Sequence, residues 1–251
     1  MLKEERYDKI LEILEEEKYI SAQELSKRLF VSMPTIRRDL TQLQKTNQII
    51  RSHGGAKKIN SEHIVMPLDF RKTVNSHEKR LLCRKAAELV GDNDIIFLDA
   101  STTILQMADF LCDKKQITVI TNGIPLAMLL IKKGIKTYCT GGEIQKNSLA
   151  YSGSFAEEFV QKFNIDLLFF SSHGVNDKGI ITDTSLPETQ LRKTLLRQAK
   201  KSVFMCARTK FSLSAPYNLI PLEKADYIIT NNHNVNNFLP QDSMSKIIVV
   251  K

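Results

Sequence analysis

Arg37 and Arg38 stand side by side, with Ser32 and Thr35 before them and Thr41 after. A guanidinium is a planar fork of donors that matches either the O6/N7 edge of guanine or a pair of phosphate oxygens. Two of them among hydroxyls therefore point to nucleic acid. Arg51, His53 and Lys57 surround a second feature, Ser52-His53-Gly54-Gly55, where backbone turning and positive charge coincide. Farther along, five short polar segments each follow an apolar run: Asp99-Ala100-Ser101-Thr102-Thr103, Asn122-Gly123, Gly141-Gly142-Glu143, Ser171-Ser172-His173-Gly174 and Ala207-Arg208-Thr209-Lys210. Hydroxyls, close glycines and single charges suit a small phosphorylated molecule.

The elements that must position the first group follow from apolar spacing. Tyr7, Ile10, Leu11 and Leu14 recur at helical intervals with acidic residues between them, which predicts an amphipathic helix over 6–17. Ser21 followed by Glu24 is a capping-box pattern, and Ala22, Leu25 and Leu29 give a short second helix. Ser32 is expected as the N-cap of a third helix, Pro34 fits its first turn, and Ile36, Leu40 and Leu43 form its buried stripe. Thr35, Arg37, Arg38 and Thr41 then face outward. Two short helices joined by a tight turn, the second carrying the arginines, is the geometry that lays a helix in the major groove. Ile49 to Ile59, turning at Gly54-Gly55, reads as a hairpin or wing beside it.

For the second group, seven apolar runs are expected as strands: 95–98, 117–121, 135–139, 167–170, 202–206, 227–230 and 246–250. Helix-compatible stretches (103–111, 125–132, 155–163 and 186–199) lie between most of them, predicting a mostly parallel sheet covered on both faces. Ligands bind where the strands of such a sheet end. Ser101, Thr102 and Thr103 either cap a helix or offer it to a phosphate. Gly141 and Gly142 allow close backbone approach or simply turn the chain. Lys210 is placed to neutralise an anion, and Asp99 or Glu188 to bind sugar hydroxyls, unless each is an ordinary salt-bridge partner. His173 is either a ligand contact or a turn residue.

Composition limits the remaining possibilities. The 251 residues favour two domains, expected at 1–59 and 76–251 with a connection over 60–75 around Pro67. The net charge of +8 is unevenly spread: residues 1–25 carry four basic and eight acidic side chains, residues 26–58 eight basic and one acidic. That basic concentration is an electrostatic footprint for DNA. No run approaches the roughly 18 to 20 apolar residues of a membrane span, and the start of the chain is charged rather than signal-like, so a cytoplasmic protein is expected. Cys83, Cys112, Cys139 and Cys206 are scattered without metal-site or disulfide spacing and are expected as buried, reduced thiols.

The chain resembles the DeoR family of bacterial transcriptional regulators. Val31-Ser32, Thr35-Ile36-Arg37-Arg38-Asp39-Leu40 and Arg51-Ser52-His53-Gly54-Gly55-Ala56 match its helix-turn-helix signature. Phe97-Leu98-Asp99 with Thr102-Thr103, Thr121-Asn122, Gly141-Gly142, Gly174, Gly179, Glu188 and Lys210-Phe211 look like its sensor domain. The resemblance implies a winged helix-turn-helix joined to an α/β domain similar in fold to ribose-phosphate isomerase, binding of a phosphorylated sugar or related metabolite, and release of the operator when it binds. Ser101, Ser171-Ser172 and Ala207 depart from the family pattern, which has glycines or, at 207, an aspartate. These changes should alter how hydroxyls are read more than how phosphate is held.

The expected protein is therefore a repressor of carbohydrate metabolism, a homodimer or homotetramer on double-stranded operator DNA, needing no cofactor or metal and no membrane. Ser32, Thr35, Arg37, Arg38, Thr41, Arg51, His53 and Lys57 would meet DNA. Asp99, Ser101, Thr102, Thr103, Asn122, Gly141, Gly142, His173, Gly174, Glu188 and Lys210 would meet the effector. The competing reading is a sugar-phosphate isomerase with a DNA-binding attachment, in which Asp99 or Glu188 serves as a base.

Overall fold

The computed structural model describes residues 2–17, 19–46, 48–52, 55–58, 68–240 and 246–250. The chain divides into two compact units, Met1–Asn75 and Ser76–Lys251.

The first unit contains α1 (Lys3–Glu17), β1 (Tyr19–Ser21), α2 (Ala22–Leu29), α3 (Met33–Lys45), β2 (Ile49–Ser52), β3 (Gly55–Lys58) and α4 (Leu68–Thr73). The strands form an antiparallel sheet in the order β1-β3-β2. Ile10, Leu14, Leu25, Ile36, Leu40, Leu43 and Ile49 pack into one core, so the helical stripes read from the sequence meet each other. Each such side chain contributes about 1.5–3 kcal/mol on burial. The Ser21 hydroxyl accepts from the Glu24 amide at 3.1 Å, as the capping pattern requires. Ser32 differs from expectation. It occupies the N-cap of α3 in extended conformation but makes no capping bond, because its Oγ lies 2.9 Å from Thr35 Oγ1 instead. Two elements were not anticipated: β1 is only three residues long, and α4 falls within the segment expected as a bare connection.

The second unit begins with α5 (Ser76–Ala87). Then come β4 (Ile95–Leu98), β5 (Thr118–Thr121), α6 (Ile124–Lys132), β6 (Lys136–Cys139), β7 (Glu143–Gln145), β8 (Ala150–Ser152), α7 (Ser154–Val160) and β9 (Leu167–Phe170). They are followed by β10 (Gly174–Val175), β11 (Ile180–Asp183), α8 (Leu186–Gln198), β12 (Lys201–Cys206), β13 (Tyr217–Pro221), β14 (Tyr227–Thr230) and β15 (Ile247–Val249). All seven anticipated strands join one parallel sheet in the order β15-β14-β12-β9-β4-β5-β6. Alternation along each strand supplies a core on either face. Ile96, Leu98 and Phe169 pack with α5 and α6, whereas Phe97, Leu168 and Phe170 pack with α7 and α8.

The structure corrects three expectations. Residues Ile104–Phe110 form a 3-10 helix rather than an α-helix, the tighter form that short connectors favour. The hairpin β7-β8 and the small sheet β10-β11-β13 lie in stretches read as loops. Of the cysteines, all free, only Cys83 and Cys206 are buried. Cys112 lies in the turn after the 3-10 helix, and Cys139 on edge strand β6, so both reach solvent.

Candidate nucleic-acid interface and ligand site

In the first unit, α2, a short turn and α3 form the helix-turn-helix. Phe30 closes α2 in the left-handed region at φ 52°, its amide bonding the Lys27 carbonyl, and the Ser26 hydroxyl donates to the Val31 carbonyl at 2.6 Å. These bonds fix the turn. Burying Ile36, Leu40 and Leu43 on one side leaves Arg37 and Arg38 exposed on the other, with Thr35 and Thr41 half-buried beside them and Ser32 exposed ahead. Thr41 Oγ1 donates to the Arg37 carbonyl at 2.7 Å and accepts from Arg51 Nη1 at 2.8 Å, tying β2 to the exposed face of α3. Arg37 and Arg51 also share a groove of ≈ 350 Å³ with Ser21 and Gln23 at the start of α2. Lys57 is placed by its backbone in β3, opposite Ile50, and His53 lies outside the described residues.

One positioning residue escaped the sequence reading. Asp39, the lone acid among eight bases, is buried and held by Arg6 of α1. That pairing raises the Arg6 pKa, chiefly through the side-chain hydrogen bond to Asp39. Asp39 therefore orients α3 from behind while the arginines face out.

In the second unit, the five polar loops follow β4, β5, β6, β9 and β12, neighbours in the sheet, so all leave its carboxyl edge. Asp99 is almost fully buried. Its Oδ1 accepts from the Ser101 amide at 2.9 Å, and its Oδ2 from the Ser171 amide at 3.1 Å and Arg192 Nε at 3.1 Å. Ser101 Oγ accepts from the Ile104 amide at 3.2 Å, a local cap. Thr102 Oγ1 accepts from buried Lys79 of α5 at 3.2 Å. Lys210 Nζ donates to Ser171 Oγ at 3.0 Å and to the Ser172 carbonyl at 2.6 Å. Two ammonium groups thus serve loops expected to meet phosphate.

Asn122 donates through Nδ2 to the Tyr151 carbonyl at 3.1 Å. Its Oδ1 and Thr103 Oγ1 are buried and lack a hydrogen-bond partner among the described residues. Such atoms cost about 1–3 kcal/mol each unless something satisfies them. Gly141 and Gly142 both have positive φ, 68° and 107°. A Cβ on Gly142 would sit 2.5 Å from the Ser152 carbonyl oxygen, so this glycine lets the hairpin β7-β8 close on the loop. Gly174 starts β10, where a Cβ would meet Leu213 at 2.6 Å; His173 before it is half-buried.

Glu188, in the first turn of α8, accepts from Ser148 Oγ at 2.8 Å and lies 3.4 Å from Arg192 Nη2. Arg192 Nη1 donates to Asp183 at 2.9 Å. Burial alone would lower the Arg192 pKa, but Asp183, Asp99 and Glu188 outweigh it and hold the guanidinium well above its ordinary value. Lys79, Asp183 and Arg192 were missed from sequence because burial of a charge is not written in residue type. The i,i+4 spacing of Glu188 and Arg192 was the one available signal. Among the described residues no group of three or more His, Cys, Asp or Glu is placed to hold a metal ion, and no helix is long and apolar enough to cross a membrane.

Comparison with known proteins agrees with this arrangement. Residues 6–62 match the model of the DeoR-like helix-turn-helix domain and residues 74–232 that of the DeoR C terminal sensor domain. The chain is 34% identical over 229 residues to the HTH-type transcriptional regulator GolR of Listeria innocua, covering 91% of this chain and 90% of that protein. It is 32% identical to the HTH-type transcriptional repressor GlcR of Bacillus subtilis over 232 residues, covering 92% and 89%. With the glycerol-3-phosphate regulon repressor of Escherichia coli it shares 26% over 232 residues, covering 92% of each chain. Among solved structures it is similar to ribose 5-phosphate isomerase A of Methanocaldococcus jannaschii, with a TM-score of 0.42, 15% identity and 55% of each chain covered. An exposed arginine pair on α3 and a parallel-sheet domain with its polar loops on one edge thus coincide with both family models, and the chain belongs to the DeoR family of helix-turn-helix transcriptional regulators.

Proposed function

We propose that the chain is a cytoplasmic repressor that holds operator DNA through α3 and lets go when a phosphorylated sugar or related metabolite enters the carboxyl edge of the parallel sheet. The observation that carries the effector half is the pair of buried oxygens left without a hydrogen-bond partner among the described residues, Thr103 Oγ1 and Asn122 Oδ1, on loops following adjacent strands β4 and β5. Both accept hydrogen bonds, so hydroxyl groups of a polyol suit them. Lys79 and Lys210, on the flanking elements, supply charge for a phosphate. On the DNA, Arg37, Arg38 and Thr35 would read base edges while Arg51, Lys57 and His53 steady the duplex. A symmetric oligomer on a palindromic or repeated operator follows from the usual symmetry of such proteins. Effector binding would act by preferring a different placement of the DNA-binding units.

A regulator suits this site better than an isomerase. The Asp99 carboxylate is already engaged by two backbone amides and a guanidinium inside the fold, so its oxygens are committed to holding loops rather than open to a substrate carbon. The test is fluorescence anisotropy of DNA from upstream of the gene, at two salt concentrations, during titration with ribose 5-phosphate, glucose 6-phosphate, fructose 6-phosphate and glycerol 3-phosphate. Tight, salt-sensitive binding reversed by one of these compounds is expected. Binding no tighter than to a scrambled duplex would overturn the regulator reading, and binding that no compound reverses would overturn the effector class.

A further inference from the structure

Arg192 has no role in the sequence pattern, yet it is a buried charge bonded to three carboxylates. Its side chain, 7% exposed, meets Asp99, Asp183 and Glu188 through three different nitrogens. Each carboxylate in turn holds something else. Asp99 accepts from the amides of Ser101 and Ser171, 70 residues apart in sequence, on the loops after β4 and β9. Glu188 accepts from Ser148, in the turn of the β7-β8 hairpin. Asp183 Oδ1 accepts from the Thr184 amide at 2.7 Å, fixing the approach to α8.

We propose that Arg192 is a positioning residue of the effector site, a single guanidinium that locks the Ser101 loop, the Ser171 loop and the β7-β8 turn into one unit through Asp99 and Glu188. The inference deepens the proposed effector function and rests on the reading that these loops receive the ligand. Its physical basis is charge compensation. Buried carboxylates this close together are stabilised by a cation between them, and the flat, rigid guanidinium meets all three through different nitrogens in a fixed geometry. Without Arg192, Asp99 would face burial with two amide donors alone, and its whole carboxylate would loosen. The Ser101 and Ser171 amides would then be freed together, because the Asp99 carboxylate is what they share.

Amide hydrogen exchange in the full-length chain tests this. In Arg192→Gln, exchange at Ser101 and Ser171 is expected to rise about tenfold or more, while Val203–Cys206 in β12 stays within about twofold of wild type. Arg192→Lys, which keeps the charge but not the fork, should restore Ser101 and Ser171 in part. A merely structural role would speed exchange evenly through α8 and the strands beneath it. Unchanged exchange at Ser101 and Ser171, or a rise no greater than in β12, would overturn the clamp. Should Arg192→Gln unfold the unit, Arg192→Lys, which leaves both Asp99 acceptors in place, carries the comparison, with a smaller rise confined to Ser101 and Ser171 expected and the same overturning results. Adding ribose 5-phosphate or glycerol 3-phosphate to the wild type tests the parent reading separately. No protection of either loop would count against a sugar-phosphate effector, while the variants alone decide the clamp.

Discussion

Arg6 of α1 grips Asp39 of α3 by two hydrogen bonds, Nε to Oδ2 at 2.5 Å and Nη2 to Oδ1 at 3.1 Å. This bidentate pair crosses the core of the first unit and sets the angle at which α3 presents its arginines. Asp39 is 2% exposed, and removing Arg6 would leave it buried without its cation. Arg6→Ala should therefore destabilise this unit by about 3 kcal/mol, the lower end for a broken buried pair since Arg6 itself is partly solvated. Urea unfolding followed by circular dichroism measures this; a loss below about 1 kcal/mol would show the pair to be incidental.

Arg37→Ala should weaken operator binding by about 1–3 kcal/mol if its guanidinium reads a base, and the loss should vanish on DNA altered at that base pair. A uniform loss on every sequence, with a shallower salt dependence, would move Arg37 to the phosphate contacts. Anisotropy on an operator panel separates the two.

Thr41 both donates to α3 and accepts from Arg51, so Thr41→Val removes the link between wing and helix without changing side-chain volume. Losing a hydrogen bond to a charged group is worth roughly 1.5 kcal/mol, about tenfold in operator affinity. Unaltered affinity in Thr41→Val, alongside a loss in Arg51→Ala, would mean that Arg51 acts by touching DNA directly.

The two glycines after β6 should respond differently to alanine. Gly142→Ala meets both a positive φ and the Ser152 carbonyl, whereas Gly141→Ala has a positive φ but open space. We expect a cost of about 1 kcal/mol at Gly141 and clearly more, roughly 2–4 kcal/mol, at Gly142. Thermal unfolding of the two variants checks the order, and equal costs would contradict the close approach.

Reaction with a thiol reagent at pH 8 should consume Cys112 and Cys139 in the folded chain and all four thiols only after unfolding. Burial pushes the Cys206 thiol up to about 12 and Cys83 higher still, so neither supplies thiolate in the native state. Burial also raises Cys139, so its labelling rate should climb with pH. Mass spectrometry of the labelled peptides identifies which residues reacted.

The parallel sheet was legible because its strands are unbroken apolar runs, such as Ile95–Leu98 and Leu167–Phe170, between amphipathic helices. Both faces are covered, so nothing polar interrupts them. The helix-turn-helix was legible because Ile36, Leu40 and Leu43 force the arginines outward. Short strands such as β1 and β10 were not, since two or three residues carry no period and pair only because their partners are already in place. At the candidate site, the loops could be found from the small polar residues that end each apolar run. The bonds behind them could not: Lys79–Thr102 and Arg192–Asp99 join residues 23 and 93 positions apart. Sequence marks a charged residue as surface until tertiary packing buries it, which is also why Cys112 and Cys139 were misplaced in the opposite sense.

The division of charge within the first unit bears on how quickly it finds DNA. Helices α1 and α3 pack on a common core, and each turns its solvent face away from it, α1 acidic and α3 basic. Arg28, pinned between Glu17 and Glu24, is partly neutralised, which concentrates the positive field on Arg37, Arg38 and Arg51. In the field of a polyanion such a unit experiences a torque as well as an attraction, so encounters beginning on the α1 side are turned before contact. Orientation of this kind raises the association rate most at low ionic strength and fades once the screening length falls below about 8–10 Å.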